Sequence, residues 1–261
     1  MSIKNSAAMP LRLVLMAFVF TACGTVGAGQ AVPAAAAAPG KGAAWPKGSY
    51  AALDKLPDWG GVWVPGRSPS PPLQLKGEYR TKYEAWVKAT SANNGEAVRE
   101  TSNCMPPGMP RMMGTAQYPI EFLFTPGRVT TLHEAWMQSR TIFTDGRGHP
   151  DDWDGGIFGH SIGHWEGQTL VVDTIGIKTI TALATGMKHS DKLHITERFA
   201  LKAGDPDTLT VETTMEDPLA LEKPSTSTYT FKRQRDWNLL EFVCAENDRN
   251  PVDAEGRTGF Q

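Results

Sequence analysis

Residues 159–167 read GHSIGHWEG, and Gly159, Ser161 and Gly163 fit the G-x-S-x-G of a nucleophile elbow. In that elbow a strained strand-to-helix turn lifts a serine hydroxyl into the open, so a helix must follow the serine directly. Here the chain continues IGHWEGQTLVVDTIGI, in which EGQ makes a turn and the β-branched run after it makes a strand. Ser161 is therefore read as a residue of a β-hairpin rather than a nucleophile, and the two glycines as places where a strand bends or bulges.

Acid–base chemistry has better candidates. In LHITERFAL, Leu193, Ile195, Glu197, Phe199 and Leu201 fall on one face of a strand, so Glu197 points where the hydrophobes point. An unpaired carboxylate there would have its pKa raised by desolvation, as a general acid or base at neutral pH requires. Paired with Arg140 or Arg198 it is instead a buried ion pair. The same phase in WNLLEFV groups Trp237, Leu239, Glu241 and Val243 and places a second carboxylate inside. Glu197, with His133 or His194 and with Arg140, is the candidate set for proton transfer. The polar, Gly-rich stretch TDGRGHPDDWDGG (144–156) carries Asp145, Arg147, His149, Asp151 and Asp152, and binding residues concentrate on loops held by rigid scaffolds. Asp145, Arg147 and His149, together with Trp165 and Glu241, are the candidate ligand contacts.

No metal or other cofactor is expected. His160 and His164 lie four apart, which on a strand separates them by ~13 Å, too far to share an ion without a bulge. The acidic loop lacks the alternating ligands and terminal bidentate acid of a calcium site. The thioethers of CMPPGMPRMM suit copper(I), but its prolines and cysteine fit better with a stapled loop that packs on the fold.

These residues need a scaffold, and from Ile120 onward the chain supplies alternating segments separated by Gly, Pro and Asp. IEFLFT, RVTTLHEAW, SRTIFT, SIGHWE, QTLVVDTIGI, KLHITERFAL, DTLTVETTM, TSTYTFKR and LLEFVC are the expected strands. Consecutive hairpins of this kind predict a mainly β fold, an antiparallel up-and-down β-barrel with one or two short helices, whose closure removes aggregation-prone edges. KGEYRTKYEAWVKAT (76–90) is the clearest helix, with Tyr79, Tyr83, Trp86 and Val87 on the face turned to the barrel.

The ends of the chain point to export. Lys4 and Arg12 precede a short apolar run, Leu13 to Phe20, and the small-residue approach to Cys23. The run is too short to span a bilayer as a permanent helix and reads as a signal peptide over 1–23. FTAC resembles a bacterial lipobox, which would make Cys23 the lipidated first residue of an outer-membrane-anchored periplasmic protein; cleavage a few residues later by an ordinary signal peptidase is the alternative. Residues 24–48, rich in Ala, Gly and Pro, form a tether. A single barrel domain over 49–250 and a short tail over 251–261 complete the chain. In an oxidising compartment Cys104 and Cys244 are expected to bond, the alternative being two unrelated buried thiols. Formal net charge is −2 and no basic stripe is present, which argues against nucleic acid as a partner.

Two resemblances add to this. DWGGVW (58–63) is similar to the G-x-W that opens lipocalin and related calycin barrels, in which the Trp packs at the barrel base against an Arg of the last strands; Arg233 or Arg235 would serve. From about 56 to 250 the ordered motifs DWGGVW, CMPPGMPRMM, RTIFTDGRGHP, GHSIGHWEGQTLVVDTIGI, HSDKLHITERF and EFVCAENDR resemble a widespread family of exported bacterial proteins of unknown function. The chain departs from that pattern at Gln168, where members carry Asp, and near Ile177, where they carry Phe. The resemblance implies export, one domain and a shared site, and transfers no reaction.

Three functions follow as expectations. The first is a lipid-anchored barrel that binds an apolar or aromatic small molecule in its interior. The second is a lyase, isomerase or hydratase on the same barrel, with Glu197 as general acid or base. The third is a structural envelope lipoprotein with a filled interior.

Overall fold

Alternation of inward apolar and outward polar residues builds nine strands: β1 (Val62–Pro65), β2 (Ile120–Thr125), β3 (Arg128–His133), β4 (Gln138–Phe143), β5 (His160–Glu166), β6 (Thr169–Ile175), β7 (His194–Lys202), β8 (Asp205–Glu216) and β9 (Ser225–Gln234). They close in chain order into one barrel, with β1 paired to both β2 and β9. The structure is a computed structural model that describes residues 48–66, 71–98, 104–114 and 118–244, so the expected signal peptide, Cys23, most of the tether and the tail lie outside the described residues.

The mainly β, lipocalin-like barrel is the fold expected, with one topological departure. β4 and β5 run parallel, Ile142 beside Ser161 and Phe143 beside Ile162. Parallel neighbours need a crossover rather than a hairpin. Residues 144–159 provide it, passing over the outer wall where His149 bonds Asp173 of β6, whose neighbours Val172 and Thr174 are buried. The polar, Gly-rich stretch 144–156 forms most of this crossover.

Two expected strands are corrected. RVTTLHEAW is strand only as far as His133; Ala135–Met137 form a short 3-10 turn, with Trp136 and Met137 in left-handed conformation (φ 55° and 49°). LLEFVC forms no strand. Once β9 has closed on β1 no edge remains to pair with it. The segment lies on the outside instead, Phe242 against Tyr118 and Trp136 and the Leu240 N–H donating to Glu134 at 2.8 Å. Trp237 is 53% exposed and Glu241 is exposed, so the second interior carboxylate does not exist.

Helix α1 spans Gly77–Ala92. Tyr79 and Tyr83 pack partly buried against the core, as expected, whereas Val87 stays exposed. Trp86 donates its indole N–H to Val98 O at 2.7 Å.

At the base, the guanidinium of Arg233 lies 4.5 Å from the centre of the Trp63 ring, and Trp63 is the register partner of Arg233 across β1 and β9. Arg233, not Arg235, is thus the arginine that packs on Trp63; Arg235 pairs on the surface with Asp207 at 2.9 Å. Gly61, at φ 99°, has no Cβ to press on the Gln234 carbonyl and the Arg233 stem. Cys104 and Cys244 are disulfide-bonded, and the loop that follows Cys104 inserts Met109 and Met113 into the barrel core. The methionines are packing, as read from the prolines around them.

Candidate functional site

The inward phase of β3 to β9 places a belt of buried polar side chains within a largely apolar interior. Thr131 and His133 come from β3, Arg140 from β4, Ser161 from β5, Thr174 from β6, Glu197 from β7, Thr213 from β8 and Ser227 from β9, all buried. Glu197, Thr213 and Ser227 form one lateral row, each the register partner of the next.

Arg140 organises half of the belt. It donates to both oxygens of Glu197, at 3.1 Å to Oε1 and at close range to Oε2, from Nε to Ser161 Oγ at 3.1 Å and from Nη2 to Thr174 Oγ1 at 2.9 Å. Ser161 and Thr174 share a further hydrogen bond of 2.9 Å. Glu197 is therefore the buried ion pair and not the unpaired acid, and Arg140 is its partner; Arg198 faces outward to Glu166 at 2.7 Å. Ser161, engaged by Arg140 and Thr174, is buried in β5, and a strand, β6, follows it rather than the helix of a nucleophile elbow. Gly159, at φ 69°, has no room for a Cβ, which would come within 2.5 Å of Ile175 O. It serves the bend that starts β5.

His133 bonds Thr131 Oγ1 through Nε2 at 2.9 Å and rests against Phe158. Burial, followed by the nearby Arg140 charge, pushes its pKa down to about 3, so the ring is neutral at physiological pH. Two members of the belt have no partner: the hydroxyls of Thr213 and Ser227 are buried without a hydrogen bond. Such orphans are rare in native proteins because each costs roughly 1–3 kcal/mol.

Toward one end the interior turns aromatic. Trp59 contacts Phe122, Phe124, Trp165 and Phe199 at ring separations of 5.0, 5.4, 5.4 and 6.1 Å. Trp165, a candidate ligand contact, belongs to this cluster.

A second group of titratable residues lies on the outer wall. The Nδ1 atoms of His149 and His160 face each other at 2.8 Å, so one donates and the other accepts. His149 Nε2 donates to Asp173 Oδ1 at 2.7 Å, and His194 Nε2 to Asp173 Oδ2 at 2.5 Å. His160, enclosed by Phe143 and Trp153, has its pKa lowered to about 4 by burial first, then by the charges of His149 and Arg147. Arg147 is clamped by Asp145 at 2.8 and 2.7 Å and lies over the Phe143 ring. Beside His194 a crevice of about 350 Å³ opens between the crossover and the start of β7, lined by Asp151, Trp153, Ile175, Asp191, Lys192 and Leu193. Among the described residues no group of three or more His, Cys, Asp or Glu is disposed to hold a metal ion.

The sequence-derived set therefore separates. Glu197, Arg140 and His133 share the interior, whereas His194 is on the outer wall with His149. Asp145 and Arg147 hold the crossover, and Glu241 stands apart on the surface. Thr213, Ser227 and Asp173 were missed. The signal for Thr213 was present in DTLTVETTM, where it shares the phase of Leu209, Val211 and Met215; a threonine simply weighs less than a charge in such a reading. No protein-family model matches the chain, and no curated protein matches it.

Proposed function

We propose that this chain is an exported barrel, anchored at the outer membrane by a lipidated Cys23, that binds a small apolar or aromatic molecule in its interior. The export signal, lipobox and tether of the sequence support the location, as does the resemblance to exported bacterial proteins. The observation that carries the binding reading is the polar belt with two unpartnered hydroxyls, Thr213 and Ser227, set inside an apolar wall. Buried pockets for small molecules combine that apolar lining with a few placed polar groups. Native mass spectrometry of the protein purified from its own host tests it. A retained small molecule is the expected result; a bare chain, with no binding of neutral aromatic probes, would favour a structural envelope protein with a filled barrel.

A second reading keeps acid–base chemistry but moves it. With Glu197 closed on Arg140, the group that suits proton transfer is His194, fixed by Asp173 beside the outer crevice. Lyase, isomerase or hydratase activity on a substrate in that crevice would be lost in His194→Gln and kept in Glu197→Gln wherever the fold survives.

A further inference from the structure

We propose that the molecule held in the barrel is uncharged and presents a carbonyl oxygen to Thr213 and Ser227, an inference that rests on interior binding. Thr213 and Ser227 are direct register partners on antiparallel strands and share the inward face. Directly opposed residues have Cβ atoms ~4.5–5.5 Å apart. An oxygen at ~2.7–2.8 Å from each hydroxyl bridges that gap. Both hydroxyls can donate to it at once, and a carbonyl has two lone pairs to receive them. A ligand hydroxyl in the same place could accept from one and donate to the other, which leaves one of the two protein hydrogens without an acceptor.

Charge selects against the alternatives. The ionised pair in the belt is closed on itself: Arg140 places four of its five N–H donors on Glu197, Ser161 and Thr174, and both Glu197 oxygens accept from it. His133 faces the belt as a neutral ring. A carboxylate or an ammonium placed against these two hydroxyls would meet charges already paired with each other, and burying an unpaired ion costs far more than burying a carbonyl that is hydrogen-bonded. The core side chains Val172, Phe199, Val211 and Met215 are apolar, so the rest of such a molecule would have to be apolar as well.

The test uses the full-length chain and the neutral fluorophore N-phenyl-1-naphthylamine, displaced by decane, 2-decanone, decanoate or decylamine. The ketone should displace it at concentrations about tenfold lower than any of the other three. Thr213→Val with Ser227→Ala should abolish that preference while the fluorophore still binds; Ser227→Ala alone, checked by near-UV circular dichroism, serves if the double variant does not fold. Decanoate or decylamine binding more tightly than the ketone, or the ketone matching decane, overturns the carbonyl assignment and leaves interior binding standing. Failure of the fluorophore and of every competitor to bind overturns interior binding itself.

Discussion

Arg140 of β4 and Glu197 of β7 meet inside the barrel with their side chains 1% and 0% exposed, guanidinium to carboxylate through both oxygens. The pair links strands that are not neighbours in the wall, so it ties the interior across β5 and β6. Removing one charge leaves the other buried alone, which typically costs ~3–5 kcal/mol, whereas replacing both with apolar residues of similar size is near neutral. Glu197→Gln should therefore lower the urea midpoint strongly, and Arg140→Met with Glu197→Leu should recover most of the loss. Equal destabilisation by the single and the double change would mean that the pair contributes packing and not charge.

The depressed histidines give the fold an acid limit. His133 titrates near 3 and His160 near 4 in the folded chain, against an ordinary value of 6.5. The unfolded chain therefore takes up protons first as pH falls. Their contribution to stability is complete above about pH 6.5 and is lost as pH drops toward the folded values, at up to about 1.4 kcal/mol per pH unit for each ring. Urea midpoints measured from pH 7 to pH 4 should fall steadily, and His133→Gln should flatten the slope even if it lowers stability at pH 7. An unchanged slope in that variant would place the acid sensitivity elsewhere.

How much of this was legible beforehand depends on the distance over which each feature is decided. Strand phase and turn chemistry are local, so the mainly β barrel, the inward Glu197 and the hairpin that carries Ser161 followed from period-two alternation and the turns between the strands. Pairing is not local. Nothing around Phe143 announces that β4 will lie parallel to β5, because that choice depends on where residues 144–159 can run, and their route over the outer wall depends on Asp173 being there to receive His149. The expected final strand failed for a related reason. LLEFVC has the composition of a strand, but Trp63 had already taken Arg233 as its neighbour and closed the wall. His194 was grouped with Glu197 because both carry chemistry; three residues apart on a strand, they face opposite sides.

Asp173 accepts from His149 and His194 at once, and so holds the crossover against the wall. An asparagine retains the shape but offers an amide where one imidazole N–H now points, leaving one ring without an acceptor. Asp173→Asn should cost ~1–2 kcal/mol, in the range for a charge-assisted hydrogen bond at a half-exposed site. Proteolysis under native conditions should then cut within residues 147–155 at least several-fold faster, with the barrel core intact by circular dichroism. Faster cleavage spread over all loops would indicate global loosening rather than release of the crossover.

Arg233 is placed so that its shape matters as much as its charge. It lies over Trp63 and donates to Asp58 Oδ2 at 2.9 Å, to the Asp58 and Gly60 carbonyls at 2.8 and 3.1 Å, and to Pro206 O at 2.6 Å. A lysine keeps the positive charge but has a single nitrogen, which cannot bond the Asp58, Gly60 and Pro206 carbonyls together while covering the Trp63 ring as a planar group does. Arg233→Lys should lose at least one of these part-buried hydrogen bonds, at roughly 0.5–1.5 kcal/mol, and weaken a cation–π contact worth ~0.5–2 kcal/mol. The expected result is a loss of about 1–3 kcal/mol in urea unfolding, together with a shift in tryptophan emission from the barrel base. The same substitution at Arg235, exposed and paired only with surface acids, should change stability by less than about 0.5 kcal/mol. If Arg233→Lys proves as mild as Arg235→Lys, the guanidinium contacts at the base do not hold the first and last strands together.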